Sequence, residues 1–352
     1  SYRMTPDPAP TRTCPETTAS SWYFPESAAD NRHLEDWCVT VGPEVRVPEP
    51  AGRFPRLAPG DSLVVVTWNV AVGSGDVPGF LHTELGLVCN GASSALSDGS
   101  PHFALLVQEA FRRSPDVPES ADDWATPRLV PEADRPGERL DIVDVAERCG
   151  LSLAYVAAAR NGHEPVDGMR EDKGVAILST LPLSDMIAIE LPYEASRRVA
   201  LAASVHSPSG DSLRLVSVHL ISTAPPTRVL TTGNGSRLRQ GLALADALDL
   251  SETARTSPEH DVGATSISTV LAGDFNTWSD RETTLRRLRE QFPDSPAPLG
   301  EGTHGTFPTD HILFRRAAMP ASPRLREGSY ARIEDAHDPD HHAIKVVIRF
   351  GK

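Results

Sequence analysis

The sequence predicts an α+β protein with mainly antiparallel sheets, and three observations predict it. Short strand-like runs recur along the chain and are joined by turns. Amphipathic helical stretches fall between only some of those runs. Regular strand–helix–strand alternation, an internal repeat and a glycine-rich phosphate loop are not seen.

Residues 1–60 read as an N-terminal extension. Prolines recur from Pro6 to Pro55, and only the stretch around residues 34–38 suits a short helix. Trp22, Tyr23, Phe24 and Trp37 need burial, so the extension is expected to wrap over a main domain spanning residues 61–352. From residue 62 the pattern is regular. SLVVVTWNV is a strand of β-branched residues, and ALLVQE at 104–109 is a second. Residues 80–90 between them are expected to be helical. Residues 141–149 place Ile142, Val145, Ala146 and Cys149 on one helical face, with Gly150 as the C-cap. Strands are expected at 152–158, 174–179, 186–191, 198–205 and 213–219. Residues 237–250 form a helix with Leu238, Leu242, Ala245 and Leu248 on one stripe. A strand at 269–273 follows. Ser279-Asp280-Arg281-Glu282 reads as a capping box before a helix carrying Leu285, Leu288 and Phe292. Residues 311–314 and 343–350 close the fold as strands.

A chain of 352 residues is within reach of a single two-sheet domain, and no run approaches the roughly 20 apolar residues of a membrane span. The net charge of −14 argues against a protein that grips long nucleic acids by charge alone. Lys173, Lys345 and Lys352 are the only lysines, so the positive charge is almost entirely arginine. Arginine suits bidentate phosphate binding, although arginine-favouring codons explain the bias equally well. None of Cys14, Cys38, Cys89 and Cys149 forms a CxxC pair, which argues against a zinc ribbon. A Cys14–Cys38 disulfide is expected to staple the leader, with Cys89 and Cys149 as free thiols on apolar helix faces. Leader cysteines and a non-methionine first residue make a secreted or periplasmic protein the expectation, with the cytoplasm as the alternative. A monomer is expected.

Polar residues gather at strand ends, where a rigid scaffold presents reactive groups. Asn69, Glu109 and His219 each end a strand, Asp274 and Asn276 end another, and Asp310 begins one. In Leu271-Ala-Gly-Asp-Phe-Asn276, alternation puts Asp274 and Asn276 on one face and Phe275 in the core, a pair able to orient a water and meet a phosphoryl oxygen. A polar turn explains the same residues. Asp338-Pro-Asp-His-His342 admits a zinc site, a polar loop, or a metal-binding Asp340 beside a phosphate-facing His341. Its place before the last strand favours the third.

Taken together, TWN at 67–69, QE at 108–109, GVAILS at 174–179, RR at 197–198, VHL at 218–220, GDFN at 273–276, TDHIL at 309–313 and DHH at 340–342 resemble, in order, the endonuclease/exonuclease/phosphatase superfamily. The likeness covers roughly residues 62–350 and is strongest to its uncharacterised bacterial branch. The resemblance implies a four-layer α/β sandwich and a metal-dependent phosphoric ester hydrolase. Glu109 would be the principal Mg²⁺ ligand, helped by Asn69 and Asp340, with Mn²⁺ or Ca²⁺ as other candidates. Asp274 would orient or deprotonate the water, Asn276 would bind phosphoryl oxygens, and His219 would stabilise the phosphate or leaving group. His341 would contact the phosphate, with Asp310 holding its tautomer. Arg197, Arg198 and Arg237 are weaker candidates for phosphate contacts. The chain departs from the family pattern at Pro339 and Ala343, around the final Asp-His pair. The expected partner is a phosphate-ester substrate. A deoxyribonuclease-like nuclease and a sphingomyelinase-like phospholipid diesterase are the alternatives. A non-catalytic binding protein is disfavoured because every expected position is filled.

Overall fold

A computed structural model of the chain describes residues 21–23, 44–50, 52–117, 139–160, 168–194, 196–222, 233–253, 267–334, 337 and 341–351. Its strands, in chain order, are β1 (Ser21–Tyr23), β2 (Val45–Val47), β3 (Ser62–Asn69), β4 (Leu87–Val88), β5 (Ala95–Leu96), β6 (His102–Ser114), β7 (Ser152–Arg160), β8 (Arg170–Ser179), β9 (Ser184–Glu190), β10 (Val199–His206), β11 (Ser212–His219), β12 (Ser268–Asp274), β13 (Asp310–Arg315), β14 (Arg324–Leu325), β15 (Ala331–Arg332) and β16 (Ile344–Arg349). The helices are α1 (Val77–Leu85), α2 (Ile142–Cys149), α3 (Gly233–Thr253) and α4 (Thr283–Gln291).

One sheet runs β14–β16–β3–β6–β8–β7–β2 and the other β1–β9–β10–β11–β12–β13. Among the described residues only β3–β6, β11–β12 and β1–β9 pair in parallel, so the sheets are mainly antiparallel as expected. Strand alternation joins the sheets face to face. Thr67 Oγ1 donates to Gln108 Oε1 at 3.2 Å, and Gln108 Nε2 donates across to Ser217 Oγ of the other sheet at 3.0 Å. Trp68 points the opposite way and stacks on Phe80 of α1 at 4.8 Å, a contact contributing about 1 kcal/mol beyond its buried area. On the second sheet, Val216, Val218 and Leu271 form one buried cluster with Leu244 and Leu248 of α3 and Leu285 and Leu288 of α4. The leader adds β1 to β9 on one sheet and β2 to β7 on the other.

Several expected elements shift, each for a local reason. The helix expected at 80–90 stops at Leu85, because Gly86 turns left-handed at φ 67 and its N–H bonds back to Leu81. Leu87 and Val88 then pair with β5. The buried stripe of α3 is Arg237, Gln240, Leu244 and Leu248; Leu238 and Leu242 are only half-buried. Buried hydrogen bonds rotate the helix, since Gln240 accepts from the Ile221 N–H and donates to the Pro192 carbonyl, both at 2.9 Å. The expected capping box does not form. Glu282 is itself the N-cap of α4, and its carboxylate is taken by Arg237 and the Trp278 N–H.

The cysteine expectation is also corrected. Cys89 and Cys149 are bonded to each other, because the end of β4 lies against the last turn of α2 with a Cα–Cα distance of 4.2 Å. Their separation of 60 residues makes the link worth about 4 kcal/mol in the chain-entropy picture. The expected Cys14–Cys38 bond lies outside the described residues.

Candidate active site

Strand register assembles the site. In β11, β12 and β13, His219 pairs with Asp274, and Asp274 pairs with Asp310, so three polar residues stand in one row. Asn69 ends β3 on the facing sheet, and β16 pairs with β3 so that His341 arrives from just before it. Gly273 makes the row possible. A Cβ there would collide with the Val218 carbonyl, and its φ of 155 is one that favours glycine.

The row closes around Asp274. Asn69 Nδ2 donates to Asp274 Oδ2 at 3.0 Å, and the Asn276 N–H donates to Oδ1 at 2.8 Å. His219 Nε2 lies 3.4 Å and His341 Nε2 3.9 Å from Asp274 Oδ2. Burial, reinforced by the neighbouring Asp310 charge, pushes the Asp274 carboxyl up to about 7, against the opposing pull of His341 and its hydrogen bonds. Asp310 behaves in the opposite sense. Burial would raise it, but the His341 charge, the His341 hydrogen bond and the Thr303 and Thr309 contacts hold it below the usual carboxylate value. His341 Nδ1 donates to Asp310 Oδ2 at 2.8 Å, which fixes the tautomer and leaves Nε2 for chemistry. Burial, then the Arg198, Lys173 and His341 charges, lower His219 well below the usual imidazole range. His219 is therefore neutral near pH 7.

Beside the row lies a cleft lined by Glu109, Lys173, Arg198 and His219. Glu109 does not end its strand as expected. It sits at a bulge within β6, between Gln108 and Ala110, at φ 53. A second bulge, at Ala158 of β7, lies across the same partner, Gly174. A Cβ on Gly174 would collide with the Val156 carbonyl of β7, so only glycine permits that close approach beside the two bulges. Lys173 Nζ stands 3.9 Å from Glu109 Oε1.

The three candidate arginines separate. Arg198 reaches the cleft, where burial lowers its proton affinity against the pull of Glu109 and Asp274. Its Nε has no hydrogen-bond partner among the described residues. Arg197, one residue earlier, points the other way. It forms a two-pronged pair with Glu190 and donates to the Ala157 and Ala158 carbonyls. Arg237 is buried against Glu282. These donors of Arg197 and Arg237 thus brace the scaffold, the structural reading open to both in the sequence. Asn276 also differs in detail: its Nδ2 donates to the Leu220 carbonyl at 2.9 Å, so it braces Asp274 and the loop after β11. Asp340 lies outside the described residues. Sequence reasoning missed Lys173, although it directly precedes GVAILS, and Thr303, which accepts the Asp310 N–H at 3.0 Å. Nothing in the local pattern marks Thr303.

Three acid and imidazole groups lie close enough together to hold a cation, and Glu109, the expected principal ligand, is not among them. Asp274, Asp310 and His341 offer ligand atoms within 4.8 Å of one another. Asp310 Oδ1 is buried without a hydrogen-bond partner among the described residues, and the Glu109 carboxylate lines the cleft.

The chain matches no family model and no curated protein sequence. It does match solved structures. The endonuclease/exonuclease/phosphatase from Beutenbergia cavernae DSM 12333 aligns at TM-score 0.50 and 16% identity, covering 83% of this chain and 72% of that one. The human Nocturnin catalytic domain with bound sulfate aligns at TM-score 0.46 and 15% identity, covering 87% and 97%. Beta toxin from Staphylococcus aureus aligns at TM-score 0.43 and 11% identity, covering 82% and 100%.

Proposed function

We infer that this chain, which shares the fold of the Beutenbergia endonuclease/exonuclease/phosphatase, is a metal-dependent phosphoester hydrolase working by attack of an activated water. One observation carries the reading. A buried carboxylate, Asp274, is held near neutrality among Asn69, His219, Asp310 and His341, beside a cleft bearing Lys173 and Arg198. A group whose proton affinity matches the working pH is suited to general-base chemistry.

In this reading Asn69 fixes the Asp274 Oδ2 lone pairs, and the Asn276 N–H fixes Oδ1. Asp274 orients a water and accepts its proton. His341, held by Asp310, offers Nε2 to a phosphoryl oxygen. Neutral His219 steadies the same oxygens or the leaving group. Arg198 and Lys173 supply positive charge where the substrate phosphate enters. Glu109 and Asn69, with Asp340, would hold the divalent ion, with Mg²⁺ the expected metal. Such an ion polarises the phosphoryl group and lowers the charge barrier to attack. The catalytic domain would span 61–352, with 1–60 packed on it, in a four-layer sandwich. The Cys89–Cys149 bond supports an oxidising, secreted or periplasmic location. Among the described residues no helix is long and apolar enough to cross a membrane.

The test is a panel of DNA, RNA, phospholipid, sugar-phosphate and bis-p-nitrophenyl phosphate substrates with Mg²⁺, with and without chelator. Turnover should need the metal and fall strongly in Glu109→Gln. Full turnover in excess EDTA contradicts the reading. With a net charge of −14, kcat/KM should change little with salt. A log–log slope near −0.9 per phosphate, over many phosphates, would instead mark a duplex nuclease.

A further inference from the structure

Among the described residues, Trp278 and Phe307 are two of the few large apolar side chains left exposed, at 36% and 38%. Their rings meet edge to face, with centroids 4.6 Å apart. Trp278 lies four residues after Asp274 and Phe307 three residues before Asp310, so the loops that carry the pair are those that flank the site.

Both are held rigidly from below. The Trp278 N–H donates to Glu282 Oε1 at 2.7 Å, and buried Arg237 clamps Glu282. Thr277 Oγ1 donates to the Pro308 carbonyl at 2.6 Å, tying the two aromatic-bearing loops together. Phe307 closes a tight turn. Its N–H donates to the His304 carbonyl at 3.0 Å, and its own carbonyl accepts from the Thr303 and His304 N–H groups at 2.9 and 3.1 Å. The same turn abuts the reacting groups. The His304 ring lies 4.4 Å from that of His341, and the His342 N–H donates to the Thr303 carbonyl at 2.8 Å. Loop aromatics gain by turning inward; these two stay exposed, and the turn that carries Phe307 also carries His304, whose ring meets that of His341.

We propose that Trp278 and Phe307 form a stacking platform for a planar, nucleobase-like group carried by the phosphate ester. The proposal rests on the hydrolase reading and names its substrate class. Aromatic rings bind bases through their π faces without needing a particular base. The surroundings favour a base over a lipid surface. Among the described residues the exposed sequence neighbours are Ser279, Arg281, Gly305 and Thr306, a polar set with one basic residue and no aliphatic side chain, whereas membrane contact calls for apolar bulk.

The experiment uses the full chain with Mg²⁺ and two measurements. The first is binding of a 5′-phosphonate analogue of adenosine monophosphate, in which carbon replaces the ester oxygen, followed by tryptophan fluorescence. The second is the ratio of kcat/KM for an adenosine dinucleotide to that for glycerophosphocholine. Phe307→Ala and Trp278→Ala should weaken analogue binding about 10-fold or more. Trp278→Ala should lower the kcat/KM ratio about 10-fold, through KM, and Trp278→Phe should restore it. Met319→Ala, at an exposed apolar residue elsewhere, should change neither. Equal analogue affinity in wild type and Phe307→Ala overturns the platform. So does loss of phosphatidylcholine vesicle binding in Trp278→Ala with nucleotide binding intact. Platform-dependent binding without hydrolysis of any ester supports the platform and contradicts the hydrolase reading. Hydrolysis with no base preference does the reverse.

Discussion

Arg112, Asp172 and Tyr155 form one buried polar cluster; Asp274, Asp310 and His341 form another. In the first, every charge meets its opposite. Arg112 forks onto Asp172 through Nε and Nη2, and the Tyr155 hydroxyl donates to Asp172 Oδ1 at 2.6 Å. Burial works against the Arg112 charge, but Asp172 more than offsets it. In the second, two carboxylates share one imidazole, Asp310 Oδ1 lacks a hydrogen-bond partner among the described residues, and Asp274 is driven towards neutrality. The first arrangement stabilises a scaffold. The second holds a proton acceptor ready at a cost in stability, which is how functional sites depart from structural ones.

Breaking the first cluster should have the largest effect. Asp172→Asn leaves Arg112 buried without its counter-charge and should cost about 3–5 kcal/mol in denaturant unfolding. The second cluster should respond in activity. Asp274→Asn should lower kcat about 10²-fold or more, while stability holds or rises. A loss of stability as large as that of Asp172→Asn would erase the distinction drawn above.

The pH response sharpens the contrast. Asp274 binds its proton more tightly folded than unfolded, so its contribution to stability is present below about pH 4 and is lost as pH rises through about 7. Over the same upper range kcat/KM should rise as the base deprotonates, and Asp274→Asn should abolish both trends. Asp310, whose affinity is lowered, contributes stability that is lost as pH falls through its folded value.

Two adjacent pairs give smaller effects. Arg198→Ala should raise KM roughly 10-fold with little change in melting temperature, as expected for a lost charge-assisted phosphate contact. Arg197→Ala should destabilise the fold, since its guanidinium supports Glu190 and two carbonyls. His342→Ala should change kcat less than threefold, far less than His341→Ala, because only His341 meets Asp310.

Much of this was legible in sequence where the signal is local. The β-branched run of β3 and the capped helix α2 follow from alternation and cap chemistry within a few residues, whereas Asn276, expected to continue the alternation of β12, has left the extended conformation at φ 53. What was missed depends on distant partners. Glu109 bulges out of β6 where that strand pairs with Gly174 of β8, and the capping box fails because Arg237 draws Glu282 away. Cys89 and Cys149 meet only once β4 and α2 are packed. Arg197 and Arg198 read alike in the sequence, and only strand alternation with a Glu190 partner tells them apart.

The most direct test of the central claim is isotopic. A phosphodiester turned over in H₂¹⁸O with Mg²⁺ should yield one solvent oxygen per phosphoryl product and none in the released alcohol, and Asp274→Asn should abolish that turnover. Label in the alcohol, or undiminished turnover by Asp274→Asn, would contradict attack at phosphorus by a water that Asp274 activates.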